Sequence, residues 1–134
     1  MFENLKKYDM QDEPVEFVLD MVEHQPVLLV LPATEANIPM LREVLRKSRS
    51  QQRLDITTPK SIDEGIERDK ELYARYVLQG WRNVFDDEGN EAPFNRENAL
   101  KYLQAMPKWM FLRLREFASN SSNFIEPEGG QLGN

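Results

Sequence analysis

Cysteine is absent and histidine occurs once, at His24. Without thiols there are no disulfides, no thiolate nucleophile, no zinc ribbon and no iron–sulfur cluster, and a single imidazole rules out a multi-histidine metal centre. Long apolar runs are also missing. The longest, Pro26 to Ala33, falls far short of the roughly 20 residues of a membrane-spanning helix. Lys6 and Lys7 are followed by no apolar stretch, so no secretion signal is expected and a cytoplasmic protein is the default. Cationic surplus is lacking as well: 17 Lys and Arg stand against 23 Asp and Glu, a net charge of −6. That balance argues against a general nucleic-acid binder, which needs cations to neutralise phosphates.

What is present suits a globular chain. Among 134 residues, 40% are hydrophobic and 30% charged, a composition able to build one core. Three segments are expected: a flexible lead-in over 1–13, a single globular domain over 14–125 and a disordered tail over 126–134. From Val15 the pattern alternates, with Val15, Phe17, Leu19 and Met21 on one side, which reads as a half-buried strand. A helix entered through Asp12 and Pro14 is the rival reading. The apolar run Val27 to Leu31 offers this strand a partner, with Glu23 to Pro26 as the connection.

Four helices follow. Thr34 to Asn37 supplies caps for a helix to about Arg49, in which Ile38, Leu41, Val44 and Leu45 recur at helical spacing. Ser61 and Glu64 have the spacing of a capping box, opening a helix with an inner stripe of Ile62, Ile66, Tyr73, Tyr76 and Val77. Gly80 is placed to end that helix in a left-handed conformation, with Trp81 folding back near Tyr76. Asn95 caps a third helix, with Phe94 packing back on Ala99 or Leu100, and Pro107 starts a fourth carrying Met110, Leu114 and Phe117 on one face. The fold class is therefore α+β: a mainly helical single domain with a small N-terminal β-hairpin-like element.

Catalytic and metal chemistry find few candidates. With Gly89 at the sixth place of a calcium loop, Val84 and Asn95 would fall where essential carboxylates belong, so Asp86 to Asn90 reads as a solvated turn. Asp63, Glu64 and Glu67 near a helix N-terminus are explained by the helix dipole without a metal. His24 has no nucleophile or orienting carboxylate suggested around it and reads as a connector residue. No cofactor is expected.

Partner binding finds more. Arg42, Arg46, Arg49 and, if the helix persists, Arg53 lie along one helical face, where guanidinium groups could meet phosphates or an acidic protein. The competing reading is that they are solvated, or offset by Asp63, Glu64, Glu67, Asp69 and Glu71 of the next helix in an antiparallel pair. Trp81, Phe94, Trp109 and Phe124 suit a core, as large aromatics beside helix ends usually do. Trp109, on a terminal helix, and Phe124, beside the tail, are the two better placed for binding.

The order of several motifs carries a further signal. Pro32-Ala33-Thr34-Glu35-Ala36-Asn37-Ile38-Pro39, Tyr76-Val77-Leu78-Gln79-Gly80-Trp81, Val84, Asp86-Asp87-Glu88-Gly89, Pro93-Phe94, Glu97-Asn98, Leu103, Pro107 and Asn123-Phe124 together resemble the tail assembly chaperones of long-tailed bacteriophages, over roughly residues 27 to 125. Asn95 stands where such proteins carry Ser or Thr, and Ile38 and Met40-Leu41 where they often carry an aromatic. The resemblance implies a non-enzymatic protein of the infected host cytoplasm, absent from the mature virion. It implies a tape measure protein as client, kept soluble, and recruitment of the major tail protein, in many relatives through a longer form made by frameshifting. The alternative from another class is a DNA-associated phage or prophage regulator using the arginine stripe, and a third is a structural tail component.

Overall fold

A computed structural model of the chain describes residues 1–50 and 58–126, the side chains of residues 48–50 excepted. Among these, β1 (Val15–Val18), β2 (Val27–Val30) and β3 (Leu78–Arg82) form one antiparallel sheet in the order β1-β2-β3. The helices are α1 (Ile38–Ser50), α2 (Pro59–Leu72), α3 (Arg96–Ala105) and α4 (Lys108–Ser119). This is an α+β fold.

The alternating segment is a strand, and its inward residues are those the period-2 pattern chooses: Val15 and Phe17 are half-buried while Glu16 and Val18 are exposed. Phe17 stacks on Phe117 of α4 at 4.9 Å. The strand stops at Val18, short of Met21, because the connection is built from tight turns. Leu19 donates its N–H to Pro26, and His24 and Gln25 take positive φ values of 70° and 47°. β2 is the central strand, paired on both sides, which is why its sequence is a continuous apolar run without alternation.

β3 corrects the reading of Gly80 as a helix terminus. α2 passes into a single wide π turn, Tyr73–Val77, whose last residues run straight into the strand with no intervening loop. Gly80 lies in the strand opposite Leu29, and a Cβ there would sit 3.1 Å from Leu29 Cδ1. Its smallness serves a close crossing with no left-handed backbone. Trp81 accordingly does not fold onto Tyr76. Its indole N–H donates to Ala92 O at 2.8 Å, and its ring meets Phe94 at 5.1 Å and Tyr102 at 5.3 Å. Phe94 thus joins an aromatic cluster across from β3.

Helix starts were partly legible. Asn95 caps α3, its Oδ1 accepting from Asn98 N at 2.8 Å, and Pro107 precedes α4. α2 begins earlier than Ser61: Thr58 is the cap, its Oγ1 accepting from Ser61 N at 3.1 Å, and Pro59 fills the first turn. The buried face of α2 is Ile66, Lys70 and the following Tyr73, with Ile62 left half exposed. Lys70 is only 4% exposed; its ammonium reaches Glu67 at 3.4 Å and Met106 O at 3.4 Å and lies 5.8 Å from the centre of the Phe111 ring.

The core gathers Leu28 and Val30 of β2, Val77, Leu103 of α3, Phe111, Leu114 and Ala118 of α4, and Phe124. Tyr73 is among them, edge-on to Phe111 at 5.3 Å. Burial pushes its phenol from 10.0 up to about 12, against the pull of a hydrogen bond with Ser119. The neutral phenol is the form the fold prefers, so this contribution is intact below pH about 10 and is lost as pH climbs towards about 12, at most about 2 to 3 kcal/mol. Tyr73→Phe is expected to move the alkaline unfolding transition, followed by circular dichroism, to higher pH. An unmoved transition would place the alkaline sensitivity elsewhere.

Residues 1–13, read as a flexible lead-in, carry local structure. Glu3–Tyr8 is a 3-10 helix with no buried side chain, Met10 bridges Ile125, and Gln11 N donates to Phe124 O at 2.8 Å. The segment read as a disordered tail lies outside the described residues from 127 onward.

Candidate partner-binding surface

α1 starts at a residue with more to do than cap. Asn37 Oδ1 accepts from Met40 N at 3.3 Å, and its amide nitrogen donates to Pro32 O and Tyr76 O, both at 2.9 Å. At 6% exposure, it clamps the helix to the exit of β2 and to the π turn. The approach to this cap is ordered by Thr34, whose Oγ1 accepts from Ala36 N and whose carbonyl accepts from Asn37 N.

The helix fixed by this clamp turns part of its apolar set outward. At about 100° per residue, Met40, Glu43 and Lys47 fall on one side, and Ile38, Leu41 and Leu45 on the other. Met40 packs against the core, and the side chains of Glu43 and Lys47 are only 15% and 34% exposed. Ile38, Val44 and Leu45 are 49%, 39% and 50% exposed. Met40 thus packs inward while Ile38 and Leu45 are wetter than the charged side chains facing the body, so part of the apolar set of α1 does not serve the core. The apolar spacing was legible in the sequence, but its outward direction was not, since periodicity identifies a face and not which way it points.

The arginines flank this ridge. Arg46 chelates Glu43 through Nη2 at 2.6 Å and Nε at 3.2 Å, which holds the Glu43 carboxyl below its ordinary value, while burial opposes the shift. Arg42 is exposed, and among the described residues it forms no ion pair. The backbone of Arg49 belongs to α1, but its side chain lies outside the described residues, as does all of Arg53.

Among the described residues, no carboxylate of α2 pairs with Arg42 or Arg46. Asp63 pairs with Lys108 at 2.5 Å and Asp69 with Arg115 at 3.0 Å on α4, and Glu67 reaches Lys70 on its own helix. Arg46 finds its counter-charge on its own helix.

The two aromatic candidates part company. Trp109 is 50% exposed, with the Arg113 guanidinium 5.3 Å from its ring centre. Phe124, expected at a binding surface, is fully buried. Its ring packs on Phe117 at 5.8 Å, and the N-terminal segment crosses it through Gln11. It is a core residue, and the correction arises from a contact with the far end of the chain.

The other features settle into structural roles. Asp86 Oδ1 accepts from Glu88 N and Asn90 N, both at 2.9 Å, and Gly89 takes φ 85°, so the acidic turn is closed on itself. His24 lies 3.7 Å from Glu23 and stacks on Phe85 at 4.6 Å. Among the described residues, no three His, Cys, Asp or Glu side chains are grouped to hold a metal ion, and no helix is long and apolar enough to cross a membrane. An open cleft of ≈ 480 Å³ runs beside the root of α1, lined by Leu31, Pro32, Asn37, Arg75, Tyr76 and Arg96 among others.

Residues 34–131 match the family model described as YdaY prophage protein. The chain belongs to the YdaY prophage protein family. It is therefore a phage or prophage protein. No curated protein and no solved structure matches it. In this YdaY-family chain the matched segment opens at Thr34, on the loop that caps α1, and so takes in the outward-facing ridge, β3 and the helical body. The hairpin of β1 and β2 precedes it.

Proposed function

We propose that this YdaY-family protein is a phage tail assembly chaperone, acting in the host cytoplasm without catalysis. It binds the tape measure protein, keeps it soluble and assists recruitment of the major tail protein. The observation that carries the reading is the outward side of α1, with Ile38 and Leu45 exposed beside Arg42 and Arg46. A client made of long apolar-striped helices needs such a ridge, where many small contacts add up without a deep pocket. The ordered motifs from Pro32 to Phe124 support it independently, and the net charge of −6 favours solubility of a loaded complex.

The DNA-regulator reading finds less support. Its cationic stripe gives up Arg46 to Glu43, and retention on DNA would have to fall steeply with salt.

Co-expression with the tape measure protein of the same phage tests the proposal. The client is expected to move into the soluble fraction with the wild-type chain, and to return to the pellet with the double variant Ile38→Glu, Leu45→Glu. A client that stays insoluble beside folded wild-type protein refutes the reading.

A further inference from the structure

Resting on that reading, we infer that the outward face of α1 is a docking surface for an acidic amphipathic helix. The secondary structure of the occupant follows from the backbone. α1 satisfies its own N–H and C=O groups, so it has no edge to which a strand could add, whereas a ridge at helical spacing interlocks with the grooves of another helix. The sign of the occupant follows from charge. Beside the ridge α1 places the exposed Arg42 and Arg46, and its single carboxylate is Glu43, in a protein of net charge −6. That carboxylate faces the body and is chelated by Arg46. Arg42, exposed beside Ile38 and in no ion pair among the described residues, is left to meet an outside partner. A basic flank beside an apolar ridge pairs with acidic flanks beside an apolar stripe, and rejects basic ones by like-charge repulsion.

The test uses the full chain and two fluorescein-labelled peptides of about 20 residues, long enough to form helix on binding. Both carry Leu at helical spacing, one with Glu flanks and the other with Lys flanks. By anisotropy, the Glu peptide is expected to bind about tenfold more tightly than the Lys peptide at about 0.05 M salt, the gap closing at about 0.5 M as screening grows. Ile38→Glu with Leu45→Glu should abolish binding of the Glu peptide. Arg42→Glu, a surface change distant from the core, should reverse the preference between peptides, with unchanged tryptophan fluorescence reporting an intact fold. Equal or inverted affinities for the wild-type chain overturn the inference, as does displacement of the Glu peptide by duplex DNA or by self-association of the protein. Failure with the peptides beside success in co-expression moves the client's contact elsewhere and leaves the chaperone reading standing. Peptide binding beside an insoluble client does the opposite.

Discussion

Phe124→Ala is expected to cost about 3 to 5 kcal/mol of folding free energy, the usual range for removing a buried aromatic ring. The ring is fully buried and packs on Phe117. The cavity left cannot collapse easily, because the surrounding backbone is tied on two sides: Gln11 N donates to Phe124 O, and the Asn123 side-chain amide donates to Phe117 O at 3.0 Å. Urea unfolding should show a lower midpoint with an unchanged slope. A midpoint within error of wild type would mean that the ring is not buried. The same variant separates a core role from a binding role. Under conditions where it remains folded, its affinity for an acidic helical peptide should equal that of the wild type, since α1 is untouched.

The second large effect concerns Asn37. Replacing it by Leu keeps the branching but removes the cap of Met40 N and strands the carbonyls of Pro32 and Tyr76, which now receive its amide protons. The expected cost is about 3 kcal/mol, from one lost cap, one buried acceptor at Pro32 and one part-buried acceptor at Tyr76. Asn37→Asp is the more telling change. At an ordinary helix start Asp caps as well as Asn. Here a carboxylate would point at two carbonyl oxygens, so destabilisation comparable to that of Leu is expected at neutral pH. Part of it should be recovered on acidification, because a protonated carboxyl can donate again; the folded-state pKa is raised, and the stability is lost as pH rises through it. A neutral or stabilising Asn37→Asp would show that the clamp is an ordinary cap.

These two residues also mark how far the chain could be read without coordinates. Asn37 was visible as a capping side chain because caps are local, and the same holds for Asn95 and for Pro107. Its second task was not visible, since Tyr76 lies 39 positions away. Phe124 escapes a local reading for the same reason: beside a Gly- and Pro-containing segment it reads as peripheral, while its ring packs on Phe117 in the core and Gln11, from the other end of the domain, bonds its carbonyl. Gly80 shows two signals in competition. A glycine after an amphipathic helix is a common stop, yet the neighbouring residues Leu78 and Trp81 had β2 as a partner, and strand pairing is a non-local gain that propensity does not register. The hairpin was legible because alternation followed by a short apolar run constrains both strands at once. On the proposed binding surface, spacing singles out Arg42 and Arg46, while for Ile38 and Leu45 it gives a helical face and not the direction in which that face points.

The bridge between Met10 and Ile125 has a consequence for synthesis. It joins residues at opposite ends of the domain, a contact whose loop-closure entropy must be met before it contributes anything. A chain emerging from the ribosome cannot close the core until Phe124 and Ile125 have cleared the exit tunnel. The last described residues of the domain are thus among those that seal it, and the body that holds α1 in place is completed only when they are free.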